Sequence, residues 1–296
     1  MRALRFSVLL PTHNRADILS CAIQSVLAQT LGDFELLIAG DGCTDASADV
    51  VRSFDDERIR WFDLPKAPHF GYANRNVALR LTRGELIAYI AHDDLWLPDH
   101  LELLSRAMDR PEIELAYSLL LLVSPDGIIS ARICNLNDAN VLGDLLAMKT
   151  GIGITCVVHR RDCLENYGYW DETMPSAGDT ELWGRMMRGG QCRNFAYLPI
   201  PTALHFFANW RKPSWRAKAK WKIWQMEGSL LPELCIPVPA GMPEQQAIWE
   251  EMRSDPVAWT DRLRRAVQLD LDRRATGAYP SSLLAWADQL YRKLIR

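Results

Sequence analysis

The stretch from Ile87 to Pro98, IAYIAHDDLWLP, decides how this chain is read. Its first residues form a short apolar run of the kind that makes a buried strand, and the run stops at two adjacent carboxylates, Asp93 and Asp94. Two like charges side by side repel and are seldom buried without compensation, so their place at a strand's carboxyl end calls for a cation or a hydrogen-bond network. A divalent metal is one such compensator. A plainer reading is that the pair caps a helix starting near Pro98, since Asp favours helix starts. These residues alone leave both readings open.

Working back from that stretch, Phe6 to Leu10 reads as a buried strand, and Asn14 with Asp17 makes a capping-box-like helix start. Ile18, Leu19, Ala22, Ile23, Val26 and Leu27 then share one helical face. Phe34 to Ala39 is a second apolar run, closed by the turn Gly40-Asp41-Gly42-Cys43-Thr44-Asp45. Strand, helix, strand implies a parallel βαβ unit. Ile59 to Phe62 predicts a third strand, Tyr72 to Leu81 a helix, and Glu85 to Ile90 the strand that delivers the aspartates. Ligands of open α/β sheets bind beyond the carboxyl ends of the strands, so Pro11 to Asn14, Asp41 to Asp45 and Asp93-Asp94 are expected to line one crevice.

Downstream the alternation breaks. Leu115 to Val123, the turn Ser124-Pro125-Asp126-Gly127 and Ile128 to Arg132 read as a β-hairpin, so the sheet becomes mixed. Further strands are expected at Thr155 to His159 and Asn194 to Leu198, with a helix over Asp179 to Met187. Beyond His205 the pattern is helical, at roughly Ser214 to Leu231, Pro243 to Arg253, Asp255 to Arg274 and Ser281 to Arg296, with the Pro-rich Leu231 to Pro243 as linker. This divides the chain into residues 1–115, 116–205 and 206–296.

Composition narrows the function. The 296 residues are 48% hydrophobic and 24% charged with a formal net charge of −3, which fits a soluble globular chain and gives no footprint for nucleic acid. Seven cysteines without a C-x-x-C pair fit free thiols in a reducing compartment, and zinc bound through sulfur is not expected. The longest apolar stretch, Leu115 to Val123, is far short of the ~20 residues a membrane span needs. The expected location is cytoplasmic, with peripheral contact at the inner membrane face left open. Gly40-Asp41-Gly42 opens like a dinucleotide fingerprint, but Asp45 stands at the third glycine position and no P-loop exists.

Five segments together resemble another family: FSVLLPTHNR from Phe6, IAGDGCTDAS from Ile38, Asn74-Arg75-Asn76, RGELIAYIAHDDLWLPDHL from Arg83 and GYWDETMPSAGDTELWGRM from Gly168. Each is weak alone. In this order and spacing, over about two thirds of the chain, they resemble the inverting glycosyltransferases of family 2. The resemblance implies the GT-A fold: a mixed, mainly parallel α/β sheet sandwiched by helices, here with a C-terminal helical extension. It makes residues 1–115 a nucleotide-sugar-binding half, 116–205 an acceptor-binding half carrying the catalytic base, and 206–296 the extension.

It also implies residue roles. Pro11, Thr12 and His13 match the loop that holds nucleobase and ribose; His13 stacks on the base or is a surface turn histidine. Asp41 matches one of two acidic nucleoside-binding residues, while Gly40 departs from the pattern and leaves the base in question, with a UDP-sugar as default. Arg75 matches a basic residue near the nucleotide, and a guanidinium suits phosphate by forked hydrogen bonding. Asp93 and Asp94 match the metal motif, without its leading aspartate at Ala91. Asp94 is assigned to manganese or magnesium and Asp93 to ribose or metal, because such ions complete their shell with water and diphosphate oxygens.

Asp179 matches the catalytic aspartate, with Gly178 where the family carries Glu; the plainer reading is a carboxylate favoured by the helix dipole. Glu181 is acceptor-facing or structural. His205 and Arg211, followed by Lys212, match a third metal ligand and a basic loop over the diphosphate, although a lone histidine also suits a purely structural place. Trp170, Trp183 and Trp210 offer flat faces for a sugar or pack in the core. Asn209 to Trp224 alternates Lys and Arg with Trp, which suits a membrane surface or a helix with its indoles turned inward. The expected partners are a nucleotide-sugar donor and a glycan, lipid-linked or other hydroxyl acceptor, and a homo-oligomer is compatible with these assignments. The rival readings are a non-catalytic sugar-nucleotide or glycan-binding module of the same architecture and, third, a nucleotidyltransferase.

Overall fold

The computed structural model describes residues 4–189, 194–207 and 231–276. Trp210, Arg211, Lys212, the whole Asn209 to Trp224 stretch and the expected helix Ser281 to Arg296 lie outside the described residues. The chain forms two compact units, Met1–Leu120 with Ile133–His205, and Leu121–Arg132 with Phe206–Arg296.

The first unit begins as the apolar runs predict. Strands β1 (Phe6–Thr12) and β2 (Phe34–Asp41) flank helix α1 (Leu19–Leu27); helix α2 (Ser47–Arg52), strand β3 (Ile59–Leu64), helix α3 (Tyr72–Leu79) and strand β4 (Leu86–Tyr89) follow. Strands β3, β2, β1 and β4 lie side by side and parallel, in register Phe6↔Phe34, Thr12↔Gly40, Phe6↔Leu86 and Gly40↔Asp63. Val8, Leu9, Leu10, Leu36, Leu37, Ile38, Ile87 and Ala88 are fully buried, the near-continuous burial that parallel strands covered on both faces show. At the amino ends Glu35, itself buried, accepts from Ser7, Arg60 and Arg83. Burial alone would raise its carboxyl, but these bonds outweigh burial and hold it below the usual range.

Two helix-start readings are corrected. Asn14 and Asp17 do not cap α1, whose start at Ile18 has no side-chain cap. Asn14 instead turns left-handed (φ 51°), and its amide oxygen accepts from the backbone N–H of Thr44 at 2.7 Å and Asp45 at 3.3 Å. Likewise Asp93 and Asp94 cap nothing: a short strand β5 (Leu95–Trp96) follows them, and helix α4 (His100–Ala107) starts only after Asp99.

The sheet then turns mixed. Strand β6 (Leu115–Val123) is followed by β7 (Ile129–Arg132), helix α5 (Ala139–Leu146), strand β8 (Val157–Arg160), helices α6 (Asp162–Tyr167) and α7 (Gly178–Gly189), and strand β9 (Phe195–Phe206). The strand order is β3-β2-β1-β4-β8-β6-β9-β5, with β8 antiparallel to β4 and β6, and β9 antiparallel to β5. The strand expected at Thr155 starts two residues later, after a 3-10 turn at Ile154–Cys156. Pro199 and Pro201 shorten the strand legible from sequence, because proline gives no ladder donor. The strand nonetheless continues to Phe206.

In the second unit the turn after β6 closes through Gly127 (φ 77°), where a Cβ would lie 1.9 Å from the Ile236 carbonyl oxygen. Ile236 N–H donates to Gly127 O at 2.9 Å, and Leu231, Leu234 and Ile236 are buried. The first half of the expected linker, Leu231 to Ile236, is therefore packed chain, while Pro237 to Pro243 stays largely at the surface. Helices α8 (Glu244–Ser254) and α9 (Pro256–Ala275) follow, with Asp255 capping α9 through Ala258 N–H, and Arg274 reaching Ser130 and Ala131.

Candidate active site

The parallel register brings the ends of β1 and β2 together, and a hydrogen bond joins them: His13 Nδ1 lies 2.7 Å from the Asp41 carbonyl oxygen. The Asp41 carboxylate, buried, accepts from Asn74 Nδ2 at 2.7 Å and Ala67 N–H at 2.8 Å and pairs with Lys66. Lys66 and Asn74, unnoticed as partners in the sequence, thereby fasten the β3–α3 connection to the end of β2. Thr12 is buried, its hydroxyl without a hydrogen-bond partner among the described residues. The departure at Gly40 has a steric cause: a Cβ there would sit 2.3 Å from Trp61 Cη2, so the indole fills the space of any side chain.

Beyond β4, Asp93 and Asp94 are both buried. Asp94 N–H bonds Ala91 O at 3.1 Å in a tight turn, and the two Asp94 carboxylate oxygens lie 2.9 and 3.1 Å from His205 Nδ1. The sequence-predicted pair Asp94 and His205, far apart in the chain, is thus brought together. One carboxylate and one imidazole are donors that a divalent ion such as manganese could use together, while magnesium, a hard ion, would draw on the carboxylate. No cluster of three or more such residues occurs among the described residues.

Helix α3 ties this end of the sheet to α7. Its Asn74 holds Asp41, its Asn76 donates to Trp170 O at 2.9 Å and accepts from Trp170 N–H at 3.1 Å, and its Tyr72 accepts from Gly178 N–H at 3.0 Å. The Arg75 guanidinium lies 5.1 Å from the Tyr72 ring centre and 4.8 Å from that of Trp170, a cation–π arrangement. Burial lowers the Arg75 pKa, while the charges of Tyr72, Asp179 and Asp41 pull it back up. Arg75 thus lies in the field of both carboxylates. Its Nε is buried without a hydrogen-bond partner among the described residues.

Asp179 stands in the first turn of α7, half-buried, with Oδ1 accepting from Thr180 N–H at 2.8 Å. For the neighbouring residues the structure selects the structural alternative. Glu181 grips Arg185 at 2.7 and 2.9 Å, and Arg185 in turn bonds Tyr169 O at 2.6 Å, so Glu181 is engaged within the fold. Trp170 and Trp183 are buried, Trp170 stacked on Tyr72 at 5.3 Å, and neither offers a face to a sugar.

The family model described as Glycosyl transferase family 2 matches residues 7–126. The chain is 28% identical over 163 residues to an Escherichia coli UDP-Glc:alpha-D-GlcNAc-diphosphoundecaprenol beta-1,3-glucosyltransferase, covering 55% of this chain and 63% of that one. It is 35% identical over 102 residues to a glycosyltransferase of Nostoc sp., covering 33% and 31%. The chain therefore spans less than two thirds of the length of these relatives. Among solved structures, TarS of S. aureus in complex with UDP-GlcNAc superposes with a TM-score of 0.56 at 18% identity, over 69% of this chain and 58% of that one. The mannosyltransferase PcManGT of Pyrobaculum calidifontis, in complex with GDP-Man and Mn2+, gives 0.54 at 16% identity, over 100% and 86%. At these identities the likeness speaks for the fold.

Proposed function

We propose that this chain, which has the GT-A fold and whose residues 7–126 match the Glycosyl transferase family 2 model, is a glycosyltransferase of that family that moves a sugar from a nucleotide-diphosphate donor to an acceptor hydroxyl with inversion, assisted by a divalent metal. The observation that supports this reading most is the Asp94–His205 pair beyond β4, in the same unit as Asp41 and Asp179.

Asp94 and His205 would hold manganese or magnesium, with Asp93 beside them on ribose or metal. When bound, the ion supplies positive charge for the departing diphosphate. Pro11, Thr12, His13 and Asp41 receive the nucleoside, and Arg75 adds positive charge on the nucleotide side. Asp179 accepts the acceptor's hydroxyl proton while that oxygen forms its bond to the anomeric carbon and the bond to the nucleoside diphosphate breaks. No covalent sugar–enzyme bond is needed. Arg211, outside the described residues, is assigned to the diphosphate.

A UDP-sugar is the default donor and a lipid-linked acceptor suits the chain best, both taken from what the E. coli relative is named for. Contact with such an acceptor's membrane would be peripheral, at its cytoplasmic face, through the Lys- and Trp-rich 209–224. Among the described residues no helix is long and apolar enough to cross a membrane. Polysaccharide synthesis is the corresponding setting.

The test is a thermal-shift and hydrolysis panel of UDP-glucose, UDP-GlcNAc and GDP-mannose with and without manganese. Stabilisation by one nucleotide sugar with manganese, together with its slow hydrolysis, is expected. Binding without turnover, even with candidate acceptors, would favour a glycan- or nucleotide-binding module, and no shift by any donor would overturn the proposal.

A further inference from the structure

We propose that Tyr72 is the positioning residue for Asp179: its hydroxyl holds the backbone that presents the base, in the space where the family carries an acidic side chain. This rests on the reading of Asp179 as the base.

Four observations converge. Gly178 N–H, the first of α7, is one of the donors a helix start leaves without an internal partner, and Tyr72 Oη accepts from it at 3.0 Å across 106 residues of sequence. The residue just before, Ala177, is left-handed (φ 55°), a conformation costly for a residue with a Cβ, which persists only where the surroundings hold it. Gly178 has no side chain because none fits: a Cβ would lie 2.7 Å from Tyr72 Cζ and 3.0 Å from its hydroxyl oxygen. The ring is itself fixed, only 4% exposed and stacked on Trp170 at an interplanar angle of 11°.

Tyr72 also sits two residues before Asn74, which grips Asp41, on the same short helix. One rigid element therefore sets the position of a nucleoside-side carboxylate and of the base. Geometry of this kind is what turnover depends on, and a misplacement near 1 Å costs on the order of 100-fold.

The experiment compares wild type with Tyr72→Phe, which keeps the ring stack and removes only the acceptor oxygen. The control is Tyr169→Phe, whose hydroxyl bonds the exposed Glu165. Hydrolysis of whichever of UDP-glucose, UDP-GlcNAc or GDP-mannose the wild type turns over is measured, together with deuterium uptake of a peptide spanning residues 176–182. Tyr72→Phe is expected to lose about 10- to 100-fold in kcat with donor KM within twofold, and to exchange faster at residues 178–180. Tyr169→Phe is expected to match wild type. Unchanged kcat and exchange, or a loss carried by KM alone, would overturn the proposal while leaving the function standing. A wild type that turns over no donor would remove the function and this role together, and unchanged exchange in Tyr72→Phe would remove the role on its own. Should Tyr72→Phe unfold, Gly178→Ala approaches the contact from the other side, and wild-type kcat there would equally overturn it.

Discussion

Asp94 and His205 meet because of a strand register: Leu95 pairs with Leu204 and Trp96 with Ala203 in antiparallel strands, so the residue before the one faces the residue after the other. The carboxylate is fully buried while the imidazole keeps 40% of its side-chain surface. An acid without contact to water thus lies against an imidazole that keeps part of its own surface. His205→Ala and Asp94→Asn are each expected to weaken manganese-dependent UDP binding by roughly 10- to 100-fold, the range typical of lost contacts around a metal. Calorimetry with and without manganese measures it. Equal manganese dependence in wild type and variants would take the metal away from this pair.

Asp179 is half-buried at the start of a helix, with one oxygen on Thr180 N–H. Asp179→Asn keeps that bond and the shape but cannot accept a proton at neutral pH. Transfer is expected to fall at least about 100-fold, the scale of general-base loss, with UDP affinity within about twofold. Loss of affinity in step with rate would make Asp179 a binding group instead.

What the sequence disclosed and what it hid follow from the range of the interactions. The four parallel strands were legible because each is announced locally, by an apolar run and a polar turn, as in Phe34 to Asp41. The Asp93-Asp94 turn was legible for the same reason. The ambiguity between cap and crevice at that turn was not resolvable locally, since it depended on where α4 starts. Asn14 was misread because its partners, the amides of Thr44 and Asp45, are 30 residues away. The contact of Tyr72 with Gly178 is not legible, and the choice for Trp170 and Trp183 between sugar face and core stays open, because an aromatic side chain in a sequence does not say which ring lies against it. Gly40 and Gly178 looked like losses from a motif, whereas each is a glycine into whose space an aromatic ring projects.

That last point is testable at Gly40. Restoring the family's acid by Gly40→Asp drives a carboxylate into the Trp61 indole, and overpacking of this kind costs about 1–3 kcal/mol. A lower urea midpoint is expected. In a Trp61→Ala background the same substitution is expected to cost clearly less, because the two changes share one volume and do not add. Equal cost in both backgrounds would show that the indole is not what excludes a side chain at position 40.

Acid stability follows from two buried histidines away from the Asp94 pair. His100 stacks on Trp96 at 4.1 Å and bonds Thr202, and burial pushes its pKa down to about 3. His159 has Nε2 at 2.8 Å from Tyr89 Oη and Nδ1 at 2.7 Å from Arg160 O, and burial pushes it down to about 4. In the unfolded chain both titrate near ~6.5. Between there and the folded values the unfolded state binds more protons than the folded one, so stability falls as pH falls, by about 1.4 kcal/mol per pH unit for each histidine. From pH 6.5 to 5 the loss is roughly 2 kcal/mol each. Glu35 is depressed in the opposite chemical sense: its contribution is present above the ordinary glutamate value of 4.5 and is lost only on further acidification, so it leaves this window alone. Urea midpoints at pH 7 and pH 5 are expected to differ strongly in wild type, and His159→Asn, with one titrating group fewer, to show about half the difference whatever its stability at pH 7. An unchanged pH difference in that variant would mean that the acid sensitivity arises elsewhere, since a group that takes up no extra proton on unfolding contributes no slope.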